Sequence, residues 1–244
     1  MAERAGTPVA GGRAVAARRG WDWVAAGWAL FRKQPRIWLA WVAVLVAIIV
    51  GLLMAHPLGG RLLLIGLGPL LMAGIASGCR ELDEGRAMKF GHLFAGFGAA
   101  AGRLAAVGAI CAIATVVIVL GVVSASGVDL SAFRGGQNVA AMPPAQLMAV
   151  LLAMLIILGL LTPVAMAAWF APLLVVFHDR TATGAMRESF VASLRNIMPM
   201  LVYGVVMLVL IVAATLPALL GWLVLLPVLA ASVYASYKDI FSAV

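Results

Sequence analysis

The chain has 244 residues, of which 65% are hydrophobic and only 11% are charged, and its net charge is +8. Its mean hydropathy of +1.12 excludes a water-soluble domain of this length and indicates an integral membrane protein. The positive charge does not require nucleic acid, because the anionic lipid of an inner leaflet is a sufficient partner. The two cysteines, Cys79 and Cys111, lie outside the predicted external loops, which argues against a disulfide framework.

The N-terminal region differs in composition from the rest of the chain. Residues 1–20 are rich in Ala, Gly and Arg, contain a single acid, Glu3, and have no apolar run. This composition predicts a disordered basic tail, followed by a single transmembrane domain at residues 21–244. Further charge follows Arg18 and Arg19 before any apolar core, so a twin-arginine signal is disfavoured. An organellar transit peptide has a similar composition, and the sequence leaves bacterial and organellar origins open.

Six apolar stretches are long enough to cross a hydrocarbon core of about 30 Å as helices. They lack the two-residue alternation of a membrane β-barrel, so we predict an all-α, polytopic membrane protein with six transmembrane helices. The stretches are Trp38–Ala55, Leu62–Gly78, Leu104–Ser126, Gln146–Phe177, Met200–Leu216 and Leu219–Tyr237.

The fourth stretch is too long for one straight span, because Gln146–Phe177 would be about 48 Å long as a helix. One alternative divides it into two short spans at Pro163. That division would move the three arginines that follow Phe177 to the external side, and no polar turn residues surround Thr162. We therefore predict one long helix that kinks at Pro163 or Pro172.

The Lys and Arg residues are distributed unevenly. On the six-span topology only Arg61 and Arg134 lie on the external side, whose largest segment, Gly127–Pro144, is too short for a folded domain. The excess of positive charge on the other side predicts cytoplasmic N- and C-termini, in a bacterial inner membrane. The cations predicted to be cytoplasmic are Arg4, Arg13, Arg18, Arg19, Arg32, Lys33, Arg36, Arg80, Arg86, Lys89, Arg103, Arg180, Arg187, Arg195 and Lys238.

The same order of features recurs three times, which predicts three weakly repeated units at residues 21–79, 86–178 and 184–238. Each unit begins with a short amphipathic helix and continues into a pair of spans, the second of which contains a proline. Two spans return the chain to its starting side, so the units are parallel, and duplication of a stable hairpin is a simpler explanation than a transport repeat. The prolines of the second spans are Pro69, Pro172 and Pro227.

The short helices that open the units are predicted at Trp21–Phe31, Met88–Phe97 and Met186–Ile197. Apolar residues recur in each at helical spacing, and charged residues accompany them off that face. We therefore expect these helices to lie in the membrane interface with the apolar face toward the acyl chains. The apolar faces contain Trp21, Val24, Trp28 and Phe31, then Phe90, Leu93, Phe94 and Phe97, then Met186, Phe190, Leu194 and Ile197.

Few residues of the sequence indicate chemistry. The interiors of the predicted spans contain no ionisable residue, which argues against a charge-coupled pump. The spacing of His56, His92 and His178 does not group them as metal ligands. A carboxylate beside an imidazole can orient a general base, but adjacent residues such as His178 and Asp179 point in different directions on a helix, and a charged helix terminus is the preferred interpretation. The sequence thus predicts no catalytic residue, no metal site and no cofactor.

Two G-x-x-x-G spacings, Gly74–Gly78 and Gly98–Gly102, place pairs of glycines on one helix face and permit close approach of another backbone. Either a dimer seam or packing within the chain would use them. Packing within the chain is preferred, because six helices already supply partners.

One part of the sequence resembles a known family. The chain contains His178-Asp179-Arg180, then Gly-Ala-Met-Arg-Glu-Ser-Phe at 184–190, then Leu194-Arg195 and Pro199. This pattern resembles uncharacterised bacterial multi-pass transmembrane families allied to the membrane domain of glycerophosphoryl diester phosphodiesterases, and it covers the third unit best. The resemblance implies the fold and the membrane placement. It implies no catalytic residue, because the phosphodiesterase chemistry of that family belongs to a separate soluble barrel domain without a counterpart in this sequence.

These features lead to the hypothesis of a non-catalytic inner-membrane protein, a scaffold or accessory subunit, whose basic cytoplasmic face binds anionic lipid or a partner protein. The alternative is a permease or flippase for an apolar or amphipathic solute, gated at the prolines of the second spans. Expected partners are anionic inner-leaflet lipid and either another protein or a second copy of the chain, and no nucleic acid. The residues expected to bind lipid or a partner are Arg80, Arg86, Lys89, Arg103, Arg180, Arg187, Arg195 and Lys238.

Overall fold

The computed structural model describes residues 11–127, 143–216 and 219–242. Residues 1–10 of the predicted tail and residues 128–142 of the predicted external segment therefore lie outside the described part of the chain. The described residues form α-helices and one 3-10 helix. The helices are α1 Arg19–Lys33, α2 Pro35–Ala55, α3 Pro57–Asp83, the 3-10 helix Phe90–Phe97, α4 Ala101–Ser126, α5 Pro144–Trp169, α6 Ala171–Phe177, α7 Ala182–Arg195, α8 Ile197–Thr215 and α9 Trp222–Phe241.

Within the described residues, six helical segments are long and apolar enough to cross a membrane, which confirms the predicted all-α polytopic fold. They are α2, α3, α4, the fourth span formed by α5 and α6, α8 and α9. Three of them begin at a proline, namely Pro35, Pro57 and Pro144. A proline suits the first turn of a helix because its fixed φ is already helical and its missing N–H would have no partner there.

The last helix, α9, lies at the centre of the bundle. Of the residues in its most apolar part, 67% are buried within the protein, against 6% for the fourth span. It packs against α1, α2, α3 and α8. By contrast, α5 and α8 expose large apolar side chains such as Leu155, Leu158 and Val209. A continuous exposed apolar surface of this kind marks contact with a membrane.

The fourth span breaks at Phe170, between α5 and α6. The prediction of one long kinked helix is therefore confirmed, and the kink lies next to Pro172 rather than at Pro163. Pro172 has no N–H to continue the helical hydrogen bonds, and its ring crowds the preceding turn. Ser189 of α7 replaces the helical hydrogen bond that is missing at the break. Its hydroxyl accepts from the Phe170 backbone N–H at 3.0 Å and donates to the Met166 carbonyl at 2.7 Å. Pro163, in contrast, lies within the continuous helix α5.

The order of a short helix followed by two spans recurs three times along the chain, with α1, the 3-10 helix and α7 in the first position. The apolar face of α1 predicted to meet the acyl chains is divided in the structure, because Trp21 and Trp28 are exposed whereas Val24 and Phe31 are buried in the protein. The helix packs against α8 and α9 through a side that includes Gly27. Gly27 permits this contact, because a Cβ at this position would collide with the α9 backbone.

The other two short segments also bury small residues. α7 buries Ala185, Ser189, Ala192 and Ser193, and the larger Leu194 is exposed. The segment predicted as an α-helix at Met88–Phe97 is a 3-10 helix instead, in which Leu93 and Gly96 are buried against α3, while the phenylalanines on either side are exposed. Gly74 of α3 allows this contact, since a Cβ there would collide with the Leu93 carbonyl, which supports the prediction that Gly74 serves packing within the chain.

Residues 11–20 differ from the predicted disordered tail. Asn196 donates from its side-chain Nδ2 to the Arg13 carbonyl at 2.9 Å and accepts from the Val15 N–H at 2.8 Å. The Arg13 N–H donates to the Ile240 carbonyl at 2.9 Å, and Gly11 is buried. A polar composition predicts disorder only when no partner is available, and here the ends of α7 and α9 supply hydrogen bonds to the segment.

Candidate functional site

The segments predicted to be cytoplasmic meet at one end of the bundle. We call it the basic end, and it comprises residues 11–36, 80–103, 178–199 and 234–242. Its parts are joined by side-chain contacts over long sequence distances. Lys33 Nζ donates to the Leu82 carbonyl at 2.6 Å, and Lys238 Nζ pairs with Asp83 Oδ2 at 2.6 Å. Likewise, Arg103 of α4 donates to the Arg180 carbonyl at 3.3 Å, and Asn196 holds the N-terminal segment.

The buried carboxylate of Asp239 connects several segments of the basic end. The side chain of Asp239, in the last turn of α9, is only 5% exposed. It accepts from Arg13 Nη2 at 3.0 Å, from Arg19 Nε at 2.7 Å and from Trp23 Nε1 at 2.9 Å. The hydrogen bond to Asp239 raises the pKa of Arg19 above its ordinary value. Asp239 therefore fixes both the N-terminal segment and the start of α1 on the end of α9.

Beside this carboxylate, a groove of about 490 Å³ lies between α1, the end of α3 and the last turns of α9. Four of its lining side chains are cations, and two are acids. Since the four cations exceed the two carboxylates, the groove carries a net charge of +2. The charged residues that line it are Arg13, Arg19, Lys33, Lys238, Asp83 and Asp239.

A second cavity of about 420 Å³ shares Asp83, Tyr234 and Lys238 with the groove. Its walls are mainly aromatic. The rings of Phe177 and Tyr237 lie 5.6 Å apart, and the Arg80 guanidinium lies 5.4 Å above the Phe177 ring. This arrangement gives Arg80 a cation–π contact in addition to its ion pair with a glutamate of the same helix.

The His178-Asp179-Arg180 segment forms a turn at the end of α6. The His178 ring packs against Tyr237, with 5.8 Å between ring centroids, and burial, helped by the charge of Arg180, lowers its pKa below the ordinary value. Asp179 has a left-handed backbone, with φ of 52°, and pairs with Arg103 at 2.6 Å. The carboxylate therefore pairs with an arginine, which supports the interpretation as a charged helix terminus.

Most of the predicted lipid-binding or partner-binding cations pair with acids of the same chain. Arg80 pairs with Glu84 at 2.8 Å, and Arg86 pairs with Glu81 at 2.7 Å and also with Glu84. The hydrogen bonds from these two arginines lower the pKa of Glu84 below its ordinary value. The remaining paired cations of the prediction are Arg103 with Asp179, Arg180 with Glu188 and Lys238 with Asp83.

The other three predicted cations differ from these. Arg195 holds the N-terminal segment, because its Nη1 donates to the Gly12 carbonyl at 3.3 Å. Lys89 and Arg187 are exposed, and neither forms an ion pair with any described residue. Of the eight, these two are therefore the most accessible to an external anion.

The sequence did not single out the exposed cations of α1 and the start of α2. Arg18, Arg32 and Arg36 are exposed and have no ion pair within the described part of the chain. Arg18, at the N-cap of α1, and Arg32, in its last turn, accompany two exposed tryptophans of the helix, Trp21 and Trp28. The positions 18, 21, 25, 28 and 32 lie on one helical stripe, since they are separated by three or four residues. The spacing of this stripe was visible in the sequence, but its exposure depends on how α1 packs.

The cavities at membrane depth are apolar. One of about 530 Å³ lies between α1 and the α8–α9 pair and is lined by Trp21, Trp28, Leu210 and Val224 among others. Another of about 350 Å³ lies between α2, α3 and α9. No ionisable side chain other than a tyrosine lines the described cavities at this depth. Nor do the described residues contain a cluster of three His, Cys, Asp or Glu side chains that could hold a metal.

No protein-family model matches the chain, and comparisons with curated proteins and with solved structures also find no match. The resemblance to the membrane domain of glycerophosphoryl diester phosphodiesterases therefore stays a prediction.

Proposed function

We propose that this is a non-catalytic integral membrane protein whose basic end binds anionic lipid, as a scaffold or accessory subunit in a bacterial inner membrane. The observation that supports it best is the exposed stripe of α1, where Arg18 and Arg32 flank Trp21 and Trp28. Tryptophan prefers the level of the lipid headgroups, and cations beside it gain from the negative surface potential of the leaflet. The 3-10 helix at the same basic end also exposes Phe90, Phe94 and Phe97.

The ion pairs within the chain reduce the set of cations that we assign to lipid contact. On an open surface, a cation that pairs with an acid of the chain attracts an external anion only weakly, because the acid offsets its charge. We therefore assign lipid contact to the unpaired cations Arg18, Arg32, Arg36, Lys89 and Arg187 rather than to the eight originally expected. Each adds about 1 kcal/mol of attraction to an anionic leaflet.

The cavities at membrane depth favour this proposal over the transport of a polar solute. A polar substrate path requires hydrogen-bonding or charged groups at that depth, whereas the described cavities there are lined almost entirely by apolar side chains. The cavity of about 530 Å³ beside α1 suits an acyl chain, and a permease for an apolar or amphipathic solute is accordingly the second candidate.

The test compares two double variants with equal change in charge. Arg32→Gln/Arg36→Gln removes two unpaired cations of the basic end, and Arg61→Gln/Arg134→Gln removes the two cations predicted for the opposite side. In a neutral detergent, we expect wild type to bind fluorescent phosphatidylglycerol more tightly than phosphatidylethanolamine. The first variant should weaken phosphatidylglycerol binding about 25-fold, which corresponds to about 1 kcal/mol for each cation.

The control variant should bind phosphatidylglycerol within about twofold of wild type. Equal affinity of wild type for the two lipids would contradict the proposal, as would equal losses in the two variants. Transport of a fluorescent lipid across proteoliposomes, retained in the first variant, would instead favour the permease.

A further inference from the structure

The groove beside Asp239 has the composition of an anion site, separate from the outer stripe of α1. It is lined by four cations and two carboxylates, so an anion that enters it meets a net charge of +2. Asp239 is buried and pairs with both arginines, and the net charge of +2 already includes its negative charge.

The two arginines are oriented by the protein and retain free donors. Arg13 donates from Nε to the Asp239 carbonyl and from Nη2 to the Asp239 carboxylate, so its Nη1 has no partner among the described residues. Arg19 uses Nε on Asp239 and Nη1 on Asp22, which leaves Nη2. A guanidinium has five N–H donors in a fixed plane, and one held along one edge presents the other edge without further loss of freedom.

The two lysines complete the lining. Lys33 is exposed and donates to the Leu82 carbonyl, with no carboxylate partner among the described residues. Lys238 pairs with Asp83 at 2.6 Å and is also exposed. Each ammonium has three donors, so both can reach an additional acceptor while they keep their present contacts.

We infer that this groove is a binding site for a phosphate group, held by Arg13, Arg19, Lys33 and Lys238. Phosphate matches the donors because its oxygens accept from guanidinium edges in pairs and from ammonium groups singly. The volume of about 490 Å³ exceeds that of a bare phosphate and leaves room for the substituent of a phosphate ester. The phosphate is either the headgroup of a lipid or part of a small soluble ester, and both present the same chemistry.

This inference does not rest on the proposed function. The proposed lipid surface uses the unpaired cations outside the groove, such as Arg32 and Arg36, whereas the phosphate site uses cations inside it. The two are therefore separable by variants.

The test uses full-length protein in a neutral detergent. The first probe is inorganic phosphate, measured by equilibrium dialysis, and the second is short-chain phosphatidylglycerol below its micelle concentration. Lys33→Gln and Lys238→Gln each remove one donor at an exposed position, so both variants should fold, and Lys33→Arg keeps the charge. Arg32→Gln is the matched control for the first probe, because it removes an equal charge next to Lys33 but outside the groove.

We expect Lys33→Gln and Lys238→Gln to raise the Kd for phosphate about tenfold each, with Lys33→Arg and Arg32→Gln within about twofold of wild type. If only phosphatidylglycerol responds to the groove variants in this way, the phosphate belongs to a lipid headgroup and the site stands. Binding of both probes that is unchanged in Lys33→Gln and Lys238→Gln, or absent in wild type, would overturn the site. The proposed lipid surface would survive that result provided that Arg32→Gln/Arg36→Gln still weakened lipid binding.

Discussion

Asp239 is buried at the end of α9 and accepts hydrogen bonds from Arg13, Arg19 and Trp23. A buried carboxylate is stable only when it is paired, and here the partners come from the start of the chain, 216 to 226 residues away. The arginine side chains are partly exposed, so water can solvate them if the pair breaks. The buried Asp239 carboxylate has no such replacement, so loss of the ion pairs costs it more free energy. This one residue thus joins the two termini of the described chain.

Asp239→Asn should release the N-terminal segment. The amide keeps the size of the side chain but loses its charge, and hydrogen bonds to charged groups contribute about 1.5–3 kcal/mol. We expect the free energy of unfolding, measured in an SDS titration of the detergent-solubilised protein, to fall by about that amount. Limited trypsin digestion should also cut faster at Arg13 and Arg19.

Asp22→Asn is the matched control, since Asp22 contacts Arg19 at 3.3 Å on the exposed side of α1. Its effect should be about 0.5 kcal/mol or less, as for exposed ion pairs in general. Equal protease sensitivity of Asp239→Asn and wild type would show that the carboxylate does not hold the segment.

At the scale of single residues, the sequence predicted that cations collect at one end of the molecule, but not which acids they pair with. It predicted a cation-rich face, and Arg80, Arg86 and Lys238 do lie there. Their acidic partners could not be predicted, because ion pairs such as Lys238 with Asp83 form only after distant helices have packed. The donors of the groove are undetectable in the sequence for the same reason.

The element that departs most from regularity is the fourth span, which is interrupted between α5 and α6. The interruption leaves a backbone donor at Phe170 and an acceptor at Met166 without their usual helical partners. In a membrane, such groups must be paired within the protein. Ser189 pairs both, and Ser193 also donates to the Met166 carbonyl at 3.3 Å.

Ser189→Ala should therefore destabilise the protein by about 1–3 kcal/mol, the cost of a buried polar group left without a partner. Ser77→Ala is the control, because the Ser77 hydroxyl donates to the Ala73 carbonyl within a continuous helix, and its removal leaves no broken backbone bond. The measurement is again the free energy of unfolding in SDS. If the two variants lost the same amount, the hydroxyl of Ser189 would not be what supports the break.

The spans were predictable at this scale, whereas the faces of the short helices were not. Long apolar runs identify spans independently of their neighbours, and prolines at positions 35, 57 and 144 fix where three of them begin. The sequence predicted an apolar face of α1 toward the acyl chains, and Trp21 and Trp28 of that face are exposed. It did not predict that Val24 and Phe31 are buried, because the close approach of α1 to α9 at Gly27 depends on the partner helix.

In the described part of the molecule, six spans form a bundle in which α9 is largely buried. The ends that carry most of the cations meet on one side of the membrane, which we propose to be the cytoplasmic side. Lipid binding by the stripe of α1 requires this placement, because the anionic leaflet attracts the cations only if the basic end faces it.

The most direct test is the accessibility of single cysteines to a membrane-impermeant maleimide in a bacterial host. Two exposed alanines suit the test, Ala87 at the basic end and Ala55 at the end of α2 that lies away from it. The native Cys79 and Cys111 are buried. Ala55→Cys should be labelled in intact cells, and Ala87→Cys only after the membrane is permeabilised. Labelling of Ala87→Cys in intact cells, whether alone or together with Ala55→Cys, would contradict the six-span arrangement with a cytoplasmic basic end.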